Sequence, residues 1–336
     1  MDGVTDAAFR YMISKYSKPS LVMTEFTNVE GLARGATSML KEFIFDEIER
    51  PAVAQIYGVE EDSYYKVTLM ACYLDFDGID INMGCPATKV AKRGSGAGMI
   101  RIPDQAKKVI QYTKKACQDW ANGITLEEAE LRPKIITALK AMKATESERK
   151  LLPISVKTRT GVDDIVTEWW ISTLLEEKPA NLTLHGRTLK QLYLGEANWE
   201  EIGKAAKICK GSGTTLLGNG DVKSMEDALK KIETYGVDGV LVGRATFGNP
   251  WFFSGYEPTR EERFAAAIEH SKYYEVNHMD RAFFGMRKHL AWYCHGFDGA
   301  KELRTKLMQS NSAKEVREIF EAFSSSEINS DLPSTP

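Results

Sequence analysis

From residue 20 to 243 the chain repeats one pattern: a short apolar run, a polar or glycine-rich tail, then a helical stretch. The runs cover 21–26, 52–57, 78–82, 154–158, 181–185, 215–219 and 239–243. Between them, apolar positions take helical spacing, as over 62–74, 103–120, 199–209 and 225–235. Such alternation predicts parallel strands joined by crossover helices, in a sheet either closed as a barrel or open and doubly wound. After Pro258 the pattern is helical throughout, over 259–277, 282–295, 300–308 and 313–323. The stretch 324–336, rich in Ser, Pro and Asp, reads as a disordered tail.

Polar side chains gather at the carboxyl ends of the runs. Thr24 and Glu25 end the first, Gln55 lies near the end of the second, and Asn82 and Cys85 follow the third. Lys157 and Arg159 end the fourth, His185 and Arg187 the fifth, Asn219-Gly220-Asp221 the sixth, and Gly243-Arg244 the seventh. A single polar terminus is chance, but seven in series converge on one site in a closed barrel, whose chemistry sits at strand carboxyl ends. Gly-x-Gly-x-x-Gly is missing after the first strand, which weighs against a dinucleotide-binding open sheet. The expected fold is α/β: a (β/α)8 TIM barrel over 1–255, with a small all-helical domain over 256–323. Seven strands are visible. The remaining one is expected ahead of Met1, because residues 1–10 already read as a strand-end loop entering a helix at 6–15. The barrel would then have an open edge between its second and eighth strand positions. Over 118–150, six acidic and six basic residues intersperse, which predicts a solvated insertion with a helix at 126–144.

Composition narrows the classes. Hydrophobic residues at 43% suffice for a large core and exclude wholesale disorder. No run nears the roughly 18 apolar residues of a membrane helix, and the first residues lack an export-signal layout. Five cysteines (72, 85, 117, 209 and 294) form no CxxC pair. An odd, scattered set points away from a disulfide framework or zinc knot and toward a reducing, cytoplasmic compartment. A balance of 44 Lys+Arg against 47 Asp+Glu argues against indiscriminate nucleic-acid coating, but not against a local basic surface.

Cys85 sits in Asn82-Met-Gly-Cys-Pro86, a turn at the barrel mouth, with Lys89, Lys92 and Arg93 downstream. Nucleophile and proton donor are both open to it; the other four cysteines lie in helical stretches and are expected to pack. The segment 88–101 carries Gly94, Gly96 and Gly98, four basic residues and no acidic one. It reads either as a solvated loop or as an adaptable flap gripping a polyanion. Asn219, Gly220, Asp221, Gly243 and Arg244 end the last two strands, the usual phosphate quadrant of such barrels; the bland alternative is a pair of tight turns. Lys157 suits a Schiff base or a point charge beside an electron-rich ring. No acidic pair is spaced as in a glycosidase, and no His/Asp/Glu cluster suggests a metal. In the tail, Phe283, Met286, Leu290, Tyr293 and Phe297 share a helix face, with Arg281, Lys288 and His295 opposite. From 281 to 306, six Lys/Arg stand against two Asp/Glu, either a solvated face or a phosphate-tracking surface.

These residues carry a resemblance. Met1-Asp-Gly-Val-Thr-Asp6, Gln55-Ile-Tyr-Gly58, Asp80-Ile-Asn-Met-Gly-Cys-Pro86 and Val156-Lys-Thr-Arg-Thr-Gly161 belong to it. So do His185-Gly-Arg-Thr188, Gly218-Asn-Gly-Asp221 and Gly243-Arg-Ala245 with Gly248-Asn-Pro-Trp251. In order and spacing the series resembles the signature of the tRNA-dihydrouridine synthases over about residues 1–253. The tail, with Arg287-Lys288-His289-Leu-Ala-Trp-Tyr293, is similar to that family's RNA-binding helical domain. The resemblance implies an FMN-dependent enzyme that reduces one uridine of tRNA, with NADPH (or NADH) as electron source. It implies that Cys85 protonates C5 while reduced flavin gives hydride to C6. Met1, Gln55, Lys157 and His185 would contact the flavin ring, and Asn219, Gly220, Asp221, Gly243 and Arg244 its ribityl phosphate. Asn82, Arg187 and Gln191 would lie near the base, with Lys89, Lys92, Arg93, Arg287 and Lys288 on the tRNA. A monomer without metal or membrane attachment is expected. Three rivals remain: a dihydroorotate-dehydrogenase-like FMN barrel, a flavin-less tRNA-binding module, and a Schiff-base aldolase using Lys157.

Overall fold

The computed structural model describes residues 1–144, 148–277 and 282–330. Its strands are β1 (Val22–Met23), β2 (Thr27–Asn28), β3 (Ala52–Tyr57), β4 (Gly78–Met83), β5 (Ile154–Arg159), β6 (Asn181–His185), β7 (Thr215–Asn219) and β8 (Gly239–Leu241). Every pairing is parallel, in the order β1-β3-β4-β5-β6-β7-β8, with β2 continuing along β3 beyond β1. The architecture is that of the (β/α)8 class joined to a helical unit. Among the described residues nothing pairs β8 to β1 or β2.

Burial follows from position in the sheet. β4, flanked on both sides, is buried along its whole length, as a central parallel strand should be. β8, at the edge, is half-buried throughout. The run expected as one strand at 21–26 is broken in two. Thr24 supplies the reason: its N–H donates to the Val53 carbonyl (3.0 Å), while its Oγ1 accepts the Gln55 N–H (3.0 Å) in place of a backbone carbonyl. Helix Pro103–Ala121 buries Ala106, Val109, Ile110, Thr113, Ala116, Cys117 and Trp120, a stripe of three- and four-residue steps.

The chain divides into two compact units. One comprises Met1–Asp2 and Ser20–Gly243; the other joins Gly3–Pro19 to the chain from Arg244 onward. The division therefore falls at Gly243, ahead of the expected 255, and the first helix belongs to the helical unit. That helix, Ala7–Ser17, contributes Ala8 and Met12 to one buried core with Trp251, Phe264, Leu290 and Phe320. Met286, Leu290 and Tyr293 are in that core, as helical periodicity requires, and Phe283 packs against it; the helix ends at Tyr293, so Phe297 reaches the core from the chain beyond it. Arg281 lies outside the described residues.

Two other expectations change. The insertion helix is Pro133–Met142, not 126–144: Glu130 has φ 55, and a proline is suited to the first helical turn but not to its interior. The last helix runs Ala313–Ser330, through the first half of the stretch read as a disordered tail. Among the described residues no helix is long and apolar enough to cross a membrane.

Candidate active site

Strand periodicity puts alternate residues of β3, β4 and β5 on one face, and their side chains form a continuous chain of hydrogen bonds. Ser155 Oγ donates to Asp80 Oδ1 (2.6 Å), and Gln55 Nε2 donates to Asp80 Oδ2 (2.7 Å). Asn82 Nδ2 donates to Gln55 Oε1 (3.0 Å). Asn82 Oδ1 then accepts the backbone N–H groups of Gly84 (3.0 Å) and Cys85 (2.8 Å). A buried carboxylate is thus connected, through two amides, to the turn that carries the thiol.

The far side of the turn is equally fixed. Arg159, buried at the end of β5, donates Nε to the Gly84 carbonyl (2.8 Å) and Nη1 to the carbonyls of Thr188 (2.9 Å) and Leu192 (3.1 Å). Beneath, the Ala97 N–H donates to the Cys85 carbonyl (3.1 Å). Gly96, at φ 55, packs so closely that a Cβ there would stand 2.8 Å from that carbonyl oxygen and 2.9 Å from Cys85 Cβ. The glycines of 88–101 therefore serve close packing, not adaptability. The segment folds as helix Thr88–Ala91 and a 3-10 turn Gly96–Arg101 whose first five residues are buried, so the flap expected there is a firm platform. Lys89, Lys92 and Arg93 stand exposed on its outer side.

Register places Lys157 beside Asn82 and Arg159 beside His185. Burial pushes the Cys85 thiol up, and its contact with the Ala87 N–H and the charges of Arg159 and Lys157 offset this only in part. Burial lowers Lys157 to about 8, with Arg159 pushing the same way and Asp80 and Cys85 opposing. Burial raises Asp80 against its Ser155 and Gln55 hydrogen bonds. Among the described residues Lys157 Nζ makes no hydrogen bond. Desolvation brings Arg159 down to about 10.

His185 is buried, with Nε2 3.2 Å from Arg187 Nη1. Arg187, also buried, donates Nη2 to Asp221 Oδ2 (2.6 Å) and to the Gly195 carbonyl (2.6 Å). Asp221 Oδ2 accepts the Ala197 N–H as well (2.8 Å). Arg187 and Asp221, expected near base and ribityl respectively, face each other and brace the loop after β6. A Cβ at Gly220, where φ is 120, would come within 2.9 Å of the His185 ring, so glycine is required there. Asn219 Nδ2 donates to the Leu241 carbonyl (2.8 Å). Met1 reaches Gly243, its sulfur 3.3 Å from where a Cβ would stand. Gln191 Oε1 accepts the Thr188 N–H (2.8 Å) and shapes the same loop as Arg187.

Cys85, Asn82, Gln55, Lys157, His185, Arg187, Gln191, Asn219, Gly220, Asp221, Met1 and Gly243 thus belong to one unit. Arg244, Arg287 and Lys288 belong to the other. Arg287 donates Nε to the Ser310 carbonyl (2.9 Å) and Nη2 to Asn311 Oδ1 (2.7 Å), closing a turn between helices. Asp80 and Ser155 are not among the site residues expected from the sequence, and Arg159 is expected only as one of the polar strand ends. Their signal is period two: Asp80 with Asn82, and Ser155 with Lys157 and Arg159, alternate along strands toward one face. A cavity of about 670 Å³, lined by Lys114, Leu152, Ile154, Ala180 and Thr214, lies at the opposite, amino ends of β5 to β7. That end of such folds serves stability.

Fold and site together define an α/β enzyme of the (β/α)8 class whose thiol is held at the strand carboxyl ends. The family model described as "Dihydrouridine synthase (Dus)" matches residues 1–127 and 124–328. The chain belongs to this family. It is 34% identical over 334 residues to a "Probable tRNA-dihydrouridine synthase" of Staphylococcus aureus (strain COL), covering 96% of this chain and 91% of that one. It is 33% identical to a "Probable tRNA-dihydrouridine synthase 2" of Bacillus subtilis (strain 168), covering 96% and 92%. Among solved structures, a DHODH from Eimeria tenella in complex with ferulenol aligns with TM-score 0.44 and 16% identity, over 74% of this chain and 65% of that one.

Proposed function

We propose that this protein reduces a uridine of tRNA to 5,6-dihydrouridine, using FMN, with NADPH or NADH as electron source, and Cys85 as the acid that protonates C5. The observation that carries this reading is the Cys85 turn: its backbone is pinned by Asn82, its thiol is kept protonated by burial, and Lys157 is the register partner of Asn82.

The residues suit a flavin. Lys157 brings a half-buried cationic group with no hydrogen bond among the described residues, fit for an anionic ring edge. Gly220 and Gly243 follow β7 and β8 without side chains, and Asn219, the last residue of β7, is half-buried. Gln55, Lys157, His185 and Met1 would border the ring; Asn219, Gly220 and Gly243 would line the ribityl phosphate. FMN, when bound, supplies the hydride that reaches C6.

Addition at C6 builds negative charge on the uracil, and the Cys85 proton discharges it at C5, completing two C–H bonds. The thiolate left behind regains its proton from solvent. An ordinary thiol, with pKa about 8.5, is mostly protonated near neutrality, and burial strengthens that state here. Asn82 acts chiefly on the turn that carries the thiol, since its Oδ1 is engaged by the backbone N–H groups of Gly84 and Cys85. The uridine must leave its stack to meet a buried sulfur. Lys89, Lys92 and Arg93, exposed just beyond the turn, would hold the neighbouring phosphates. Such a substrate places the reaction in the cytoplasm.

The test is incubation of the full chain with FMN, NADPH and unmodified tRNA transcripts, followed by nucleoside mass spectrometry. Dihydrouridine is expected. Flavin-loaded protein that leaves tRNA unchanged but oxidises dihydroorotate overturns the reading in favour of a small-molecule enzyme.

A further inference from the structure

The helical unit holds a polar cluster that the proposed reaction does not use. Asp6 caps helix Ala7–Ser17, its Oδ1 accepting the Phe9 N–H at 2.9 Å. His270 lies within helix Arg260–Asn277 and His289 within helix Phe284–Tyr293. All three are buried, with exposures of 4%, 1% and 1%. One ligand-capable atom from each lies within 4.8 Å of the others.

His289 is the anomaly. Buried polar groups are nearly always hydrogen-bonded, yet among the described residues neither of its ring nitrogens has a hydrogen-bond partner. Nε2 stands 3.6 Å from Asp6 Oδ2, beyond hydrogen-bond range. Two ligand atoms each about 2.0–2.1 Å from a tetrahedral zinc ion are separated by about 3.4 Å. The gap is therefore long for a hydrogen bond and close to the span across an ion.

The other two groups are oriented alike. Asp6 engages the backbone through Oδ1 and turns Oδ2 toward His289. His270 Nδ1 lies 3.2 Å from the Tyr293 hydroxyl, as a ligating imidazole's far nitrogen is typically held by an outer partner. The Phe9 ring lies 5.6 Å from the His289 ring and 6.5 Å from that of His270, closing the cluster to any large substrate.

We propose that Asp6, His270 and His289 bind one divalent d-block cation of the zinc class, a structural site tying three helices of this unit together. Two imidazoles and a carboxylate are a donor set such ions accept, with water as a further ligand. Ligands drawn from three helices far apart in sequence explain why residue spacing gives no hint of the site.

The test uses the full chain without a histidine tag, stripped with dipicolinate. Zinc is then titrated calorimetrically, cobalt(II) is followed by its visible ligand-field bands, and thermal unfolding is recorded with and without zinc. One zinc per chain and a melting temperature raised by several degrees are expected. His289→Gln should abolish stoichiometric binding. Because that variant may destabilise the core, Asp6→Asn serves as the second: it retains an oxygen for the Phe9 cap and should weaken zinc binding roughly tenfold or more. Absence of binding and of any zinc-dependent shift in the parent overturns the proposal in favour of a metal-free Asp6–His289 pair. Undiminished binding in both variants overturns it equally, by placing the metal elsewhere.

Discussion

Replacing Asn82 by alanine tests the construction of the site without recourse to catalysis. The change removes one acceptor serving two backbone N–H groups, of Gly84 and Cys85, and one donor serving Gln55 Oε1. Each buried donor left unsatisfied costs about 1–3 kcal/mol, so the two together destabilise the turn by about 2–5 kcal/mol after partial relaxation. For a unit of this size that corresponds to a melting temperature lower by about 5–15 °C. Local opening should also expose the thiol. Alkylation of Cys85 by iodoacetamide, followed by peptide mass spectrometry, should quicken by at least about tenfold, with buried Cys72, Cys117, Cys209 and Cys294 as internal standards. Asn82→Asp separates the two roles. It keeps Oδ1 for the backbone but sets a carboxylate against Gln55 Oε1, and turning that amide only moves the clash to Asp80, 2.7 Å from Nε2. Protonating a carboxyl relieves the clash, so the folded pKa is raised; the variant should be most stable in acid and lose stability as pH rises through that pKa. Asn82→Ala with an unchanged urea midpoint and unchanged Cys85 alkylation would refute the reasoning.

Gly96→Ala should destabilise by about 1–3 kcal/mol through strain at φ 55 and collision with the Cys85 carbonyl, read as a lower urea midpoint. Lys157 has its pKa lowered to about 8 from 10.5, so the flavin-free folded state releases that proton before the unfolded chain does. Stability from this group is therefore depressed below about pH 8 and recovers as pH rises toward 10.5; any advantage of Lys157→Met should shrink over that interval in thermal melts. Replacing Lys89, Lys92 and Arg93 by alanine should lower the salt dependence of tRNA binding by about 2 in the slope of log K against log salt, with little effect on folding. An unchanged slope would remove these residues from the tRNA surface.

Most of the barrel was legible in the sequence because its strands are short, largely apolar runs with polar residues near their carboxyl ends, as in Ala52-Val-Ala-Gln-Ile-Tyr57 of β3. Thr24 defeats that rule: a hydroxyl that replaces a backbone acceptor breaks a strand without changing its hydropathy. The thiol-bearing turn was visible in Asn82-Met-Gly-Cys-Pro86, and its support was not. Asp80 and Arg159 act through partners on neighbouring strands, and register between strands is a property of the folded sheet. Arg187, Asp221 and Arg287 show the converse. A charged residue in a suggestive position reads as a ligand contact until its partner is seen, and here the partners are one another or the carbonyls of a turn. Gly96 was noticed for its freedom, whereas its function is to lack a side chain beneath the Cys85 carbonyl. The sequence also divides the chain by pattern, whereas packing assigns the first helix to the unit whose apolar side chains complete its core.

The most direct measurement is single-turnover reduction of unmodified tRNA by flavin-loaded, pre-reduced protein, comparing the parent chain with Cys85→Ala. The parent should add the mass of two hydrogens to one uridine. Cys85→Ala should bind flavin and accept electrons from NADPH as before, yet form dihydrouridine at least about a hundredfold more slowly. Equal rates from the two proteins would contradict the assignment of the proton to this thiol.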